Sequence, residues 1–105
     1  MGKVKGVEGK GDNSMKDNET IFYVKTFNLT SLKDVELIKE EVSNKFILII
    51  KVTPLAEKSI EELRKAIDEL YHFTLSLGGD IARFGEERVI ITPPGVKIWR
   101  GLMKD

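Results

Sequence analysis

The chain has 105 residues, with 17 Lys+Arg against 17 Asp+Glu, so its formal net charge is zero. It contains no Cys and a single His, which excludes disulfides, thiolate metal sites and a cysteine nucleophile, and nearly excludes histidine-based catalysis. At 41% hydrophobic it has enough apolar content for one small core, and the balanced charge argues against a binder of the nucleic-acid backbone.

Residues 1–18 hold Gly2, Gly6, Gly9 and Gly11 among scattered charges, with Val4, Val7 and Met15 as the apolar residues after Met1. Such a stretch cannot bury enough surface to offset its ordering entropy, so a flexible arm is expected. The arm has neither the apolar h-region of a signal peptide nor the apolar stripe of an interfacial helix, and is not expected to bind lipid. The folded domain is expected over 19–105. Ile21-Phe22-Tyr23-Val24 is aromatic and β-branched, which predicts a strand. Asn28-Leu29-Thr30-Ser31 offers caps, and Leu32, Val35, Ile38 and Val42 recur at helical spacing. Phe46 to Val52 reads as a central strand with two apolar faces, ended by Thr53-Pro54. No apolar run approaches the ~20 residues needed to span a bilayer.

Ser59 with Glu62 makes a capping box and opens the second predicted helix. Its apolar positions, from Ile60 to Leu77, fill an arc of roughly 160°, or roughly 200° with Leu75. One sheet contact needs less, so the surplus is expected to meet the first helix or a second subunit. Leu70, Phe73 and Leu77, together with Trp99, are the expected dimer interface. Gly78-Gly79 stops this helix. Asp80–Phe84 and Arg88–Thr92 form a hairpin around Gly85-Glu86-Glu87, and a further strand is expected over 96–100. The predicted fold is therefore α/β: a two-layer sandwich with two helices on one face of a mixed five-stranded sheet, in the order β-α-β-α-β-β-β.

The glycines at 78, 79 and 85 do not make a phosphate loop. Such loops run from strand through glycine to helix, and here the order is helix, glycine, strand. His72 has no second His or Cys to complete a metal site. The acidic residues of both helices fall on polar faces, several in helical pairs with Lys or Arg. No active site, metal or cofactor is expected. The strands are more informative, because Ile21–Val24, Phe46–Ile50 and Val89–Ile91 are apolar on both faces while helices cover one. An uncovered apolar face with a Trp, rimmed by Lys and Arg, has the make-up of a protein-binding or dimer surface.

Gly79-Asp80-Ile81-Ala82-Arg83-Phe84-Gly85, then Val89-Ile90-Ile91-Thr92-Pro93, then Val96-Lys97-Ile98 resemble the SepF family of cell-division proteins. Lys25-Thr26-Phe27, Phe46–Ile50 and the mid-helix acid Asp68 also sit where that family places its motifs, so the likeness spans about residues 21–100. The resemblance implies a non-enzymatic, cytoplasmic, dimeric adaptor at the division site on the inner face of the membrane. It would bind the C-terminal tail of the tubulin-like protein FtsZ and use no cofactor or nucleic acid. The tail contacts it implies fall on Arg83 and Val89, with Phe84 and Ile91 completing the expected set.

Two positions depart from the family's pattern. The N-terminus lacks the usual membrane helix, so any membrane link runs through a missing or altered anchor. His72 stands where the bacterial branch has a glycine and would block close helix approach, which favours the archaeal branch. High Lys, Glu and Ile with no Gln also fit a heat-adapted host. The alternative is an Alba-like nucleic-acid-binding dimer, a comparable α/β layout that the zero net charge disfavours. An enzyme using Asp80 and Arg83 has no nucleophile or cofactor motif behind it.

Overall fold

A computed structural model describes residues 21–101 of the chain. The predicted arm at 1–18 lies outside the described residues. The elements run β1 (Tyr23–Asn28), α1 (Asp34–Ser43), β2 (Phe46–Lys51), α2 (Thr53–Lys58), α3 (Ile60–Leu77), β3 (Asp80–Phe84) and β4 (Arg88–Thr92). The sheet order is β1-β2-β4-β3, with β1 parallel to β2 and the other pairs antiparallel. An α/β fold with a mixed sheet is what the sequence predicts, but the described sheet has four strands, not five.

The expected last strand is the first correction. Residues 96–100 are tied down by side chains instead of joining a ladder. Asp80 accepts hydrogen bonds from the amide of Ile98 (2.9 Å) and from both terminal nitrogens of Arg100 (3.0 Å each). Thr92 Oγ1 donates to the carbonyl of Val96 at 2.7 Å. The second correction is a third helix. Pro54 does not merely end β2 but sits in the first turn of α2, where its missing N–H has no helical partner to lose.

Helix α1 has no side-chain cap from Lys33. Asp34 reaches back instead and accepts from the Thr30 amide (2.9 Å), the Thr30 hydroxyl (2.8 Å) and the Ser31 amide (3.2 Å). Burial pushes the Asp34 carboxyl up, but these donors outweigh it and hold the group below its ordinary value. At α3 the Ser59 hydroxyl accepts from the Glu62 amide at 3.1 Å, as the capping box predicts. The Ser59 amide itself goes to the carbonyl of Leu55, so the end of α2 supplies a partner there. Gly78 closes α3 at φ 88°, the left-handed stop. Gly79 is required for a different reason: a Cβ there would stand 2.2 Å from the carbonyl oxygen of Thr92.

Strand alternation separates two unlike sheet faces. On one face Leu48 lies between Lys25 and Ile91, and Ile50 between Phe27 and Val89. That face meets Val35, Ile38 and Val42 of α1 and Ala66 and Leu70 of α3 in a single buried core. Lys39 joins the two helices, its ammonium 2.6 Å from Glu69 and 3.4 Å from Glu36. The Glu69 hydrogen bond raises the Lys39 pKa above its ordinary value. On the other face Ile47, Ile49, Ala82 and Ile90 are only half-buried, and Val24 and Phe84 are exposed.

Candidate functional site

Helix α3 has a wider apolar arc than the core consumes. Ala66, Leu70 and Thr74 point inward and are buried, while Ile60, Tyr71 and Leu75 remain exposed. Ile60 stands about three turns before Tyr71, and Leu75 about one turn beyond it, so these outer residues share one side of the helix. Alongside this stripe the β3–β4 hairpin stands clear of the helix, and the space between them is a groove of about 760 Å³. Ile60, Leu63, Ile67 and Tyr71 form one wall, and Val52 with Ala56 of α2 contribute beneath them. The charged members are Arg64 and Asp68 from α3, and Arg83 and Glu86 from the hairpin.

Arg83 enters the groove because of its register. It pairs with Val89, whose side chain is buried under the helices, so Arg83 projects on the same helical side at the sheet's edge. Its guanidinium donates to the carbonyl of Glu86 at 3.2 Å, which aims it along the hairpin tip. Gly85, at φ 74°, supplies the left-handed residue that this tight loop uses. The groove is thus apolar along Ile60, Leu63, Ile67 and Tyr71 and carries two cations and two anions, of which Arg83 is held in place by the Glu86 carbonyl. That combination suits an apolar segment carrying an acidic group.

The expected partner contacts do not form one surface. Of the four, Arg83 alone reaches the groove; Phe84, 52% exposed, lies on the opposite sheet face. Val89 and Ile91 are 3% and 0% exposed and belong to the core, which corrects their expected place at the surface. The physical reason is that residues 89, 90 and 91 are all apolar, so the strand's own pattern does not reveal which face meets the helices. The expected dimer residues are scattered as well. Leu70 is fully buried, Phe73 is half-buried against the core, Leu77 is partly exposed, and Trp99 is 73% exposed beyond the sheet edge. His72 is exposed and pairs with Asp68 of its own helix at 3.5 Å.

Sequence reasoning missed Leu63, Arg64, Ile67 and Tyr71 as a lining, although the surplus apolar arc of α3 was their signal. It missed Val52 and Ala56 because α2 was not foreseen. Among the described residues no cluster of His, Asp and Glu has the make-up of a metal site, and no helix is long and apolar enough to cross a membrane.

Comparison with known proteins places this architecture. The chain is similar to the SepF-like protein from Archaeoglobus fulgidus at 26% identity, with a TM-score of 0.71 over 79% of this chain and 99% of that one. It is similar to the SepF-like protein from Pyrococcus furiosus at 29% identity, with a TM-score of 0.69 over 77% of this chain and 98% of that one. The cell division protein SepF from Methanobrevibacter smithii, solved in complex with FtsZ-CTD, shares the fold at 16% identity and a TM-score of 0.66, over 74% and 98% of the two chains. No curated protein sequence matches. The family model described as Cell division protein SepF matches residues 24–98, from β1 to beyond β4, and the chain therefore belongs to the SepF family.

Proposed function

We propose that this protein is a non-enzymatic cell-division adaptor whose groove beside α3 holds the C-terminal tail of FtsZ. The observation that carries the reading is the apolar groove with Arg83 oriented at its rim, in a chain of this family. The solved complex of the Methanobrevibacter smithii relative with FtsZ-CTD supports it. The tail's apolar residues lie along Ile60, Leu63, Ile67 and Tyr71, and an acidic group of the tail meets Arg83.

The working form is a homodimer joined through the open sheet face. Val24, Ile47, Ile49, Ile90 and Phe84 offer a contiguous apolar patch there, which suits a self-complementary two-fold contact. The dimer acts in the cytoplasm at the division site, presenting two grooves to FtsZ. The link to the membrane's inner face is made outside residues 21–101.

Calorimetric titration with a peptide copying the host's FtsZ tail tests the reading. Saturable binding with one peptide per chain is expected, and an unrelated peptide of equal charge should give no heat. No binding of the FtsZ tail at high micromolar concentration would overturn it.

A further inference from the structure

Both outer strands of this sheet, β1 and β3, present an edge where another strand could add. On β1 the edge carries an inward-pointing charge. Lys25 lies on the helical face, 2.9 Å from Glu41 of α1 and over the ring of Phe46. Placing a charge inward on an edge strand is an ordinary way of making it a poor template.

The buried charge in the first half of β3, Asp80-Ile81-Ala82, is Asp80, and it is used differently. In an antiparallel pair alternate residues turn their amide and carbonyl away from the partner strand. In β3 these are Ile81 and Arg83. Both outward groups of Ile81 are taken by side chains: its N–H donates to Asp80 Oδ1 at 2.9 Å, and its carbonyl accepts from Arg100 Nη2 at 2.8 Å. Arg100 grips both oxygens of the same Asp80, and Asp80 also accepts the Ile98 amide. The segment 96–100 therefore lies across the β3 edge as a strap, held by the Asp80 carboxylate and, at its start, by the Thr92 hydroxyl on the Val96 carbonyl.

The uncovered edge would be complementary to itself. Antiparallel pairing of two β3 strands about Ala82 sets Ile81 of each copy opposite Arg83 of the other. All four outward amides and carbonyls of one copy then find partners on the other.

We propose that the Asp80–Arg100 clasp is an edge guard: it holds residues 96–100 over β3 and prevents a second copy from pairing there. Its release converts β3 into a strand-addition site. This inference stands apart from the peptide groove and from the dimer through the open sheet face, since it concerns the edge.

The test uses the full chain with Arg100→Ala, and Trp99, the sole tryptophan, reports on the strap. Trp99 fluorescence anisotropy, read at the lowest concentration so that slower tumbling of larger species does not offset it, should fall in the variant. Sedimentation from about 5 to about 200 µM, within the range where unpaired strand edges associate, should show species larger than those of the wild type. Adding Arg83→Pro, which removes the neighbouring outward N–H, should restore the wild-type distribution. Asp80→Asn is the second variant, and should give the same pair of changes with near-native circular dichroism. Wild-type anisotropy in Arg100→Ala would overturn the clasp. A mobile Trp99 with an unchanged sedimentation profile would overturn the guarding role.

Discussion

Arg83 and Phe84 are neighbours in β3 and stand on opposite faces of the sheet, Arg83 in register with Val89 and Phe84 with Arg88. The groove and the open sheet face are therefore separable by adjacent substitutions. Arg83→Glu replaces attraction by repulsion at the groove rim, and should weaken FtsZ-tail binding about tenfold or more while self-association stays normal. Phe84→Asp puts a charge on the open apolar face, and should shift sedimentation toward monomer with tail affinity unchanged. The reverse pattern would exchange the two assignments.

Leu70 and Ile91 are core side chains, and truncating them leaves cavities. Leu70→Ala and Ile91→Ala should each lower unfolding free energy by about 2–5 kcal/mol in urea titrations. Tyr71, half exposed in the groove wall, offers the contrast. Tyr71→Ala should cost about 1 kcal/mol or less of stability yet weaken tail binding. A large stability loss at Tyr71 would place it in the core instead.

The hydrogen bond from Arg100, helped by the amides of Ile98 and Ile81 and opposed by burial, holds the Asp80 carboxyl down to about 2. A group depressed on folding contributes stability above its unfolded pKa of 3.8, and loses it as pH falls toward 2. Arg100 is about half exposed, so screening leaves on the order of 1 kcal/mol. The unfolding free-energy gap between wild type and Asp80→Asn should be flat from about pH 8 to 5 and close below about pH 4. A gap that persists unchanged to pH 2 would detach it from this carboxylate.

Gly78 and Gly79 should answer differently to alanine. At Gly78 a Cβ meets nothing within 4 Å, so the left-handed φ of 88° sets the cost, about 1 kcal/mol. At Gly79 the Cβ would drive into the Thr92 carbonyl, and the β3–β4 ladder must shift. Thermal melts should show Gly79→Ala losing more than Gly78→Ala. Equal melting temperatures would contradict the close approach.

Much of this was readable in the residues themselves. Ser59 and Gly78 bound α3 through local chemistry, and Gly85 with its flanking β-branched runs marks the hairpin. The apolar face of α1, formed by Val35, Ile38 and Val42, needs no tertiary information either. What stayed hidden depends on pairing between distant segments. Residues 89–91 of β4 are apolar throughout, and only the register with Ile50 and Leu48 turns Val89 and Ile91 inward. The strand expected at 96–100 has the right composition, but Asp80 offers its amides and Arg100 a carboxylate that no ladder would. Helix α2, at six residues, is too short to show a helical period, so the groove's base was invisible.

The weak coverage of β1 has a kinetic consequence. Five of its six residues are exposed and none is fully buried, whereas β2 is flanked on both sides. Its amides should therefore exchange with solvent deuterium through local opening, well before those of β2 and β4. The groove is lined by Val52, α2, α3 and the hairpin, and no residue of β1 contributes to it, the one link being the Leu55 amide of α2 on the carbonyl of Leu29 just past β1. Exchange of this kind can then proceed without deforming the peptide site: the breathing edge and the binding edge lie on opposite sides of β2. Saturating FtsZ tail should slow exchange along α3 and the hairpin and leave the β1 rates where they were.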